Sequence, residues 1–148
     1  MKDEIQNLSK KHSWSGTHEG IFFEIVNWGF DNPKFHGETG KWNYYVYLDE
    51  RRVENLNEFF LPSEVKQFSP GGTKYISYDY YKSPLSNVDW HGGVTFWEQY
   101  EDPYKRIKIG CDYSHYFDED MHYDIETVLW ECKHIIDELL PLLKIKKN

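Results

Sequence analysis

Cysteine is scarce: the chain of 148 residues has two, Cys111 and Cys132. They make no disulfide framework and no Cys-x-x-Cys pair, so they read as reduced core thiols that share one apolar interior. Long apolar runs for a membrane span are missing as well, and Met1-Lys2-Asp3-Glu4 opens no secretory signal, so no membrane partner is expected and the cytoplasm is the expected compartment. Positive charge is the third shortage, with 17 Lys and Arg against 25 Asp and Glu and a net charge of −8. Affinity for a phosphate backbone comes from clustered Lys and Arg, so duplex nucleic acid is not an expected partner. There is also no P-loop, dinucleotide fingerprint or serine nucleophile elbow, and no catalytic residue is assigned.

Aromatic residues are abundant. They make up 18% of the chain, with six Trp and twelve Tyr, so large rings must supply much of the buried area that Leu, Ile and Val would otherwise give. The surplus is available for stacking on a ligand or for a protein interface. The length fits one domain, residues 1–148, with its own core.

The expected fold class is α+β, a single domain in which an antiparallel sheet carries a C-terminal amphipathic helix on one face. Residues 1–19 have a thin apolar pattern, Ile5 and Leu8, and read as a loosely docked arm that includes a short polar helix over 2–11. Strands are expected at 20–28, 41–48 and 73–81, with loop over 29–40 and a turn at Ser69-Pro70-Gly71-Gly72. Leu56, Phe59 and Phe60 have helical spacing ahead of Pro62. The helix is expected from the Asp124 cap to about Leu140, because Ile125, Val128, Leu129, Cys132, Ile136, Leu139 and Leu143 recur at three- and four-residue steps. Pro141 ends it and leaves 142–148 as a solvated basic tail.

The stretch from Asp89 to Asp118 carries the candidate site. Two alternating apolar runs around Asp102-Pro103 predict a β-hairpin. Centred there, the turn sets Val94 opposite Cys111 and Phe96 opposite Ile109 on the core face, the face on which the helix is expected to lie. Gly93 then opposes Asp112, Gly110 opposes Thr95, and His91, Thr95 and Asp112 share the other face. Glycine is costly inside a strand, so Gly93 and Gly110 are expected to clear space for something that approaches the backbone. The predicted ligand-binding set is His91, Gly92, Gly93, Thr95, Trp90, Trp97, Asp112, His115 and Arg106. Here His91 would orient the ligand, Asp112 would fix its tautomer or charge, and Trp90, Trp97 or Tyr113 would stack on a base. Phosphates would sit toward the Gly92-Gly93 amides and Arg106 or Lys108.

His91, Asp112, His115 and Asp118 together form a His-plus-carboxylate set of the kind that holds Zn²⁺ or Mn²⁺ and activates a water for hydrolysis. The bland alternative is that the carboxylates cap turns and the histidines bond backbone groups. Six carboxylates lie between Asp112 and Glu126 with no Lys or Arg among them, so a bare phosphate would be repelled there without a compensating cation.

The runs His91-Gly92-Gly93-Val94-Thr95-Phe96 and Gly110-Cys111-Asp112-Tyr113-Ser114-His115-Tyr116-Phe117-Asp118 resemble a family of small tailed-bacteriophage proteins. Its signatures are His-Gly-Gly-aliphatic-Thr-aromatic and Gly-x-Asp-x-x-His-x-x-Asp. Tyr44-Tyr45-Val46 loosely matches the short Gly-Tyr-Val strand that opens the shared region, and the terminal helix agrees. Members usually have an aromatic after the Gly and Cys-Ala after the Asp, where this chain has Cys111 and Tyr113-Ser114. The family has no secure biochemical function. The resemblance implies a phage origin, and so the cytoplasm of an infected bacterial host.

Three functions stay open on this reading. The first is a binder that sequesters a nucleotide-type immune signal of the host, the second a metal-dependent hydrolase using the four residues above, and the third an acidic inhibitor of a host defence protein. The oligomeric state is not assigned.

Overall fold

The structure is a computed structural model that describes residues 3–9, 13–27, 41–62, 65–69, 72–113, 118 and 123–147. The expected loop at 29–40, His115 and the centre of the turn at 70–71 lie outside the described residues. Among the described residues there are eight strands: β1 Glu4–Ser9, β2 Ser13–His18, β3 Ile21–Asn27, β4 Trp42–Asp49, β5 Val65–Ser69, β6 Gly72–Ile76, β7 Phe96–Tyr100 and β8 Arg106–Asp112. They form one antiparallel sheet in the order β1-β2-β3-β4-β8-β7-β6-β5. One helix, α1 Ile125–Leu139, packs on one face of this sheet, mainly on β4 and β3. The expected α+β architecture is therefore present.

Period-two burial explains the layering. Ile21, Phe23 and Ile25 of β3 and Trp42, Tyr44, Val46 and Leu48 of β4 are buried on the helix side, as are Ile107, Ile109 and Cys111 of β8. They meet Val128, Cys132, Ile135, Ile136 and Leu139 of the helix. The apolar stripe read from the sequence is thus the buried face of α1, and Asp124 caps it by accepting a 2.8 Å hydrogen bond from the Thr127 N–H. Both cysteines are buried free thiols in that core. Burial pushes both of them upward in pKa, which suits inert packing groups rather than nucleophiles.

Four expectations change. Residues 4–9 and 13–18, expected within a loosely docked arm with a short polar helix, are instead the strands β1 and β2, hydrogen-bonded into the sheet. Their inward positions include Trp14, Gly16 and His18, a pattern too polar and too small to read as a strand. Residues 144–146 are not a free tail either: Ile145 bridges to Val53, and the Lys146 N–H donates to the Arg52 carbonyl at 2.7 Å. The third expected strand stops at Ile76. The helical spacing of Leu56, Phe59 and Phe60 corresponds to a short 3-10 turn at Leu56–Phe59.

The fourth change is the hairpin register. Phe96 pairs with Gly110, Trp97 with Ile109 and Gln99 with Ile107, one residue away from the expected pairing. A slip of one residue reverses the two faces. Trp97 and Gln99 are therefore in the core, while Phe96 lies on the face away from the helix and Val94 precedes the strand.

Candidate functional site

Gly92 and Gly93 adopt φ of 69° and 92°, so they are there to turn the chain ahead of β7. The Gly93 N–H closes the turn by donating to the Trp90 carbonyl at 3.0 Å. Trp90 is buried beneath this turn, stacked on Tyr44 at 5.8 Å, and its indole N–H donates to the Leu85 carbonyl. His91 is thus held in a turn rather than in a strand, and its backbone N–H donates to the Tyr44 hydroxyl at 3.2 Å.

The His91 ring is engaged at both nitrogens. Nε2 lies 2.7 Å from Asp118 Oδ1, and Nδ1 lies 3.1 Å from Glu131 Oε2 on α1. The ring stacks on Tyr113 at 3.6 Å and 10°, and Tyr123 meets it edge-on at 5.4 Å. The two tyrosines also bond the clamping carboxylates: Tyr113 donates to Glu131, and Tyr123 donates to Asp118 at 2.5 Å. The His91 side chain is 10% exposed and that of Asp118 2%. Burial acts against charge on His91 as the largest single effect, but the two carboxylates jointly outweigh it and raise the imidazole pKa. The clamp therefore favours the imidazolium form of His91, and the ring ties the turn to the helix. Asp118 and Glu131 perform the role expected of Asp112.

Several other expected site residues lie elsewhere. Asp112 pairs with Asn43 on β4, while Cys111 and Tyr44 one residue away are buried toward the helix, so Asp112 faces the opposite side of the sheet. Arg106 is at the closed end of the hairpin, donating to the Asp102 and Tyr104 carbonyls and lying 4.3 Å over the Tyr100 ring. Lys108 shares that outer face with Tyr45 and Phe96, with its ammonium 4.4 Å and 5.1 Å from their rings. Trp97 is buried and its indole N–H donates to Gln99, so it and Trp90 are core residues rather than stacking surfaces. Tyr113 is likewise buried. Thr95 is exposed, and its N–H donates to the Gly110 carbonyl. Of the four expected metal ligands, His91 and Asp118 meet, Asp112 does not join them and His115 is outside the described residues.

Gly110 does mark a close approach, but the approaching group belongs to the protein. A Cβ there would stand 2.4 Å from Tyr45 Cδ1 and 2.8 Å from the Tyr44 carbonyl oxygen, so the Tyr45 ring lies over the space that glycine leaves. A Cβ at Gly93 would meet nothing within 4 Å, which assigns that glycine to its backbone angle alone.

An open cleft of about 220 Å³ lies beside the clamp, lined by Asp89, His91, Trp130, Glu131 and His134. Trp130 is 66% exposed and stacks on His134 at 5.2 Å and 6°. Sequence reading missed Trp130, His134, Glu131 and Glu138, because it followed the apolar stripe of α1 and left the polar face unread. The signal was present as helical spacing: Trp130, His134 and Glu138 are four residues apart and lie along one face.

Among the described residues, no helix is long and apolar enough to cross a membrane. Compared with protein-family models, curated proteins and solved structures, the chain matches none of them.

Proposed function

We propose that this chain is a small-ligand binding protein of the phage accessory type, and that its binding surface is the cleft between the 89–93 turn and the polar face of α1. The carrying observation is Trp130, a large ring left 66% exposed beside that cleft and stacked parallel to His134. Exposed indole next to polar groups offers a stacking platform, and base–aromatic stacking contributes about 1–3 kcal/mol per base in nucleic-acid binders. The volume decides how much of a ligand fits. Drug-sized ligands occupy roughly 300–1,000 Å³, so a cleft of about 220 Å³ takes one flat ring or head group rather than a whole nucleotide.

The charge decides which end enters. Asp89 and Glu131 line the cleft, and carboxylates accept hydrogen bonds from amino groups on base edges while repelling phosphate. The reading is therefore a nucleobase-type ring on Trp130 with any phosphate directed outward to solvent. A protein with this site would withdraw a nucleotide-type immune signal of the host by its base, a counter-defence role.

The test is equilibrium dialysis of the protein against nucleosides and their linear and cyclic phosphates. Nucleosides are expected to bind at least as well as their phosphates. Competition by inorganic phosphate, or no retention of any member, contradicts the reading.

A further inference from the structure

Among the described residues, three histidines each stand beside two carboxylates, and one of the three has a different geometry. His18 gives Nδ1 to Asp3 at 2.9 Å and Nε2 to Asp137 at 2.8 Å. His91 likewise gives one nitrogen to Glu131 and the other to Asp118. A ring bonded at both nitrogens to carboxylates is a proton-holding bridge with no lone pair left for a metal. His134 instead turns a single nitrogen toward both of its carboxylates: Nε2 is 3.2 Å from Glu138 Oε1 and 3.9 Å from Asp89 Oδ2.

We infer that Asp89, His134 and Glu138 form a binding site for a divalent transition-metal ion, Zn²⁺ or Mn²⁺. One donor atom from each residue lies within 4.8 Å of the other two. Donors sharing a tetrahedral ion at about 2.0–2.2 Å stand about 3.4 Å apart, so the His134–Glu138 pair is near that spacing and the set closes with a shift of roughly 1 Å. One imidazole with two carboxylates suits Zn²⁺ or Mn²⁺, whereas Ca²⁺ and Mg²⁺ favour oxygen ligands throughout.

The frame around the donors is already built. His134 and Glu138 are four residues apart on α1, and Trp130 fixes the plane of the His134 ring from the preceding turn. The Asp89 N–H donates to Glu138 Oε1 at 3.2 Å, tying the third donor's backbone to the second donor's carboxylate. The His91–Glu131 contact anchors the turn that follows Asp89. Such outer contacts orient ligands and are part of what sets a metal site's affinity. Three protein donors leave positions for water, on the side where Asp89 and His134 line the cleft. This set shares no residue with the four-residue set singled out by the sequence, and it does not rest on the ligand-binding reading.

The test is calorimetric titration of the full chain with ZnCl₂ and with MnCl₂ alone, comparing wild type, His134→Ala, Asp89→Asn and a control, Glu126→Gln, which alters an exposed carboxylate near the helix start. Expected are one saturable ion per wild-type chain, an unchanged control, and at least a tenfold loss of affinity in His134→Ala and in Asp89→Asn, with the melting temperatures of the ion-free variants unchanged. Absence of saturable uptake by wild type overturns the site, and so does undiminished uptake in His134→Ala. Since no organic ligand enters the titration, neither result bears on Trp130 as a stacking platform.

Discussion

His91 and His134 lie on the same cleft and each faces two carboxylates, yet they are built for opposite purposes. His91 is enclosed, with Tyr113 against its face, Tyr123 at its edge and one carboxylate on each nitrogen. His134 is 42% exposed at its side chain, is stacked only on an exposed Trp130, and aims one nitrogen at both carboxylates. A buried, doubly bonded imidazolium stabilises the fold and offers nothing to a ligand. An exposed ring with converging oxygens contributes little to the fold and is free to take part in recognition. On the proposed function, support and recognition are divided between two histidines at one site.

The largest expected effect is on the clamp. His91→Ala removes the imidazole that bonds the Asp118 carboxylate, whose side chain is 2% exposed. Removing one partner of a buried ion pair typically costs about 3–5 kcal/mol, or roughly 10 °C in melting temperature for a chain of this size. Chemical denaturation of the variant measures the loss directly. A change below about 0.5 kcal/mol, the range of ordinary surface substitutions, would place His91 with His134 and erase the contrast.

The next effect is on pH dependence, and its sign follows from the direction of the shifts. His91 and His18 both have folded-state pKa values raised above 6.5. For each, burial opposes the rise, and hydrogen bonds to carboxylates more than reverse it. A raised pKa means the folded chain binds the proton more tightly than the unfolded one. The clamps therefore stabilise fully below pH 6.5, and that stability is lost as pH rises through the raised folded values. Melting temperature should fall from pH 6 toward pH 9, with His91→Gln removing part of the slope and His18→Gln another part. A flat or rising profile in wild type contradicts the charged clamp. On the acid side, hydrogen bonds from Lys133 and then His18 hold Asp3 down at about 2, so its contribution is lost only as pH falls below the ordinary 3.8.

The smallest expected effect completes the contrast. His134→Ala and Trp130→Ala remove exposed side chains from a helix whose buried face is unchanged, so each should alter stability by no more than about 0.5 kcal/mol. A loss near that of His91→Ala would make the cleft a structural seam.

Sequence patterning carried the helix, its Asp124 cap, β3, β4 and the antiparallel hairpin, because each had either a helical stripe or period-two alternation with large apolar residues. It failed at the hairpin register for an identifiable reason. The observed pairing puts Gln99 in the core, where it accepts from the Leu61 N–H at 2.6 Å and from Trp97 and donates to the Leu61 carbonyl at 3.0 Å. An inward Gln reads as an error until Leu61, 38 residues away in sequence, is known as its partner. The shifted register moved Phe96 outward, whereas Asp112 kept the outer face expected of it and His91 went to the helix side, where it meets Glu131. Of the candidate site, the sequence singled out His91 and Asp118 but put His91 at the start of a strand, where the structure has a turn. It could not reveal Glu131, because the clamp joins a turn to a helix forty residues later. His18 is a similar case, since its partners are Asp3 on the chain before β1 and Asp137 on α1.

The division of labour is tested most directly by measuring ligand affinity and melting temperature together for His91→Gln and Trp130→Ala, with the nucleoside panel at a temperature where both variants are folded. A double dissociation is expected: His91→Gln melts several degrees lower and still binds, while Trp130→Ala melts like wild type and loses at least about fivefold in affinity, as the removal of one stacking contact of about 1–3 kcal/mol requires. Binding lost in His91→Gln with stability intact, or undiminished binding in Trp130→Ala, would contradict it.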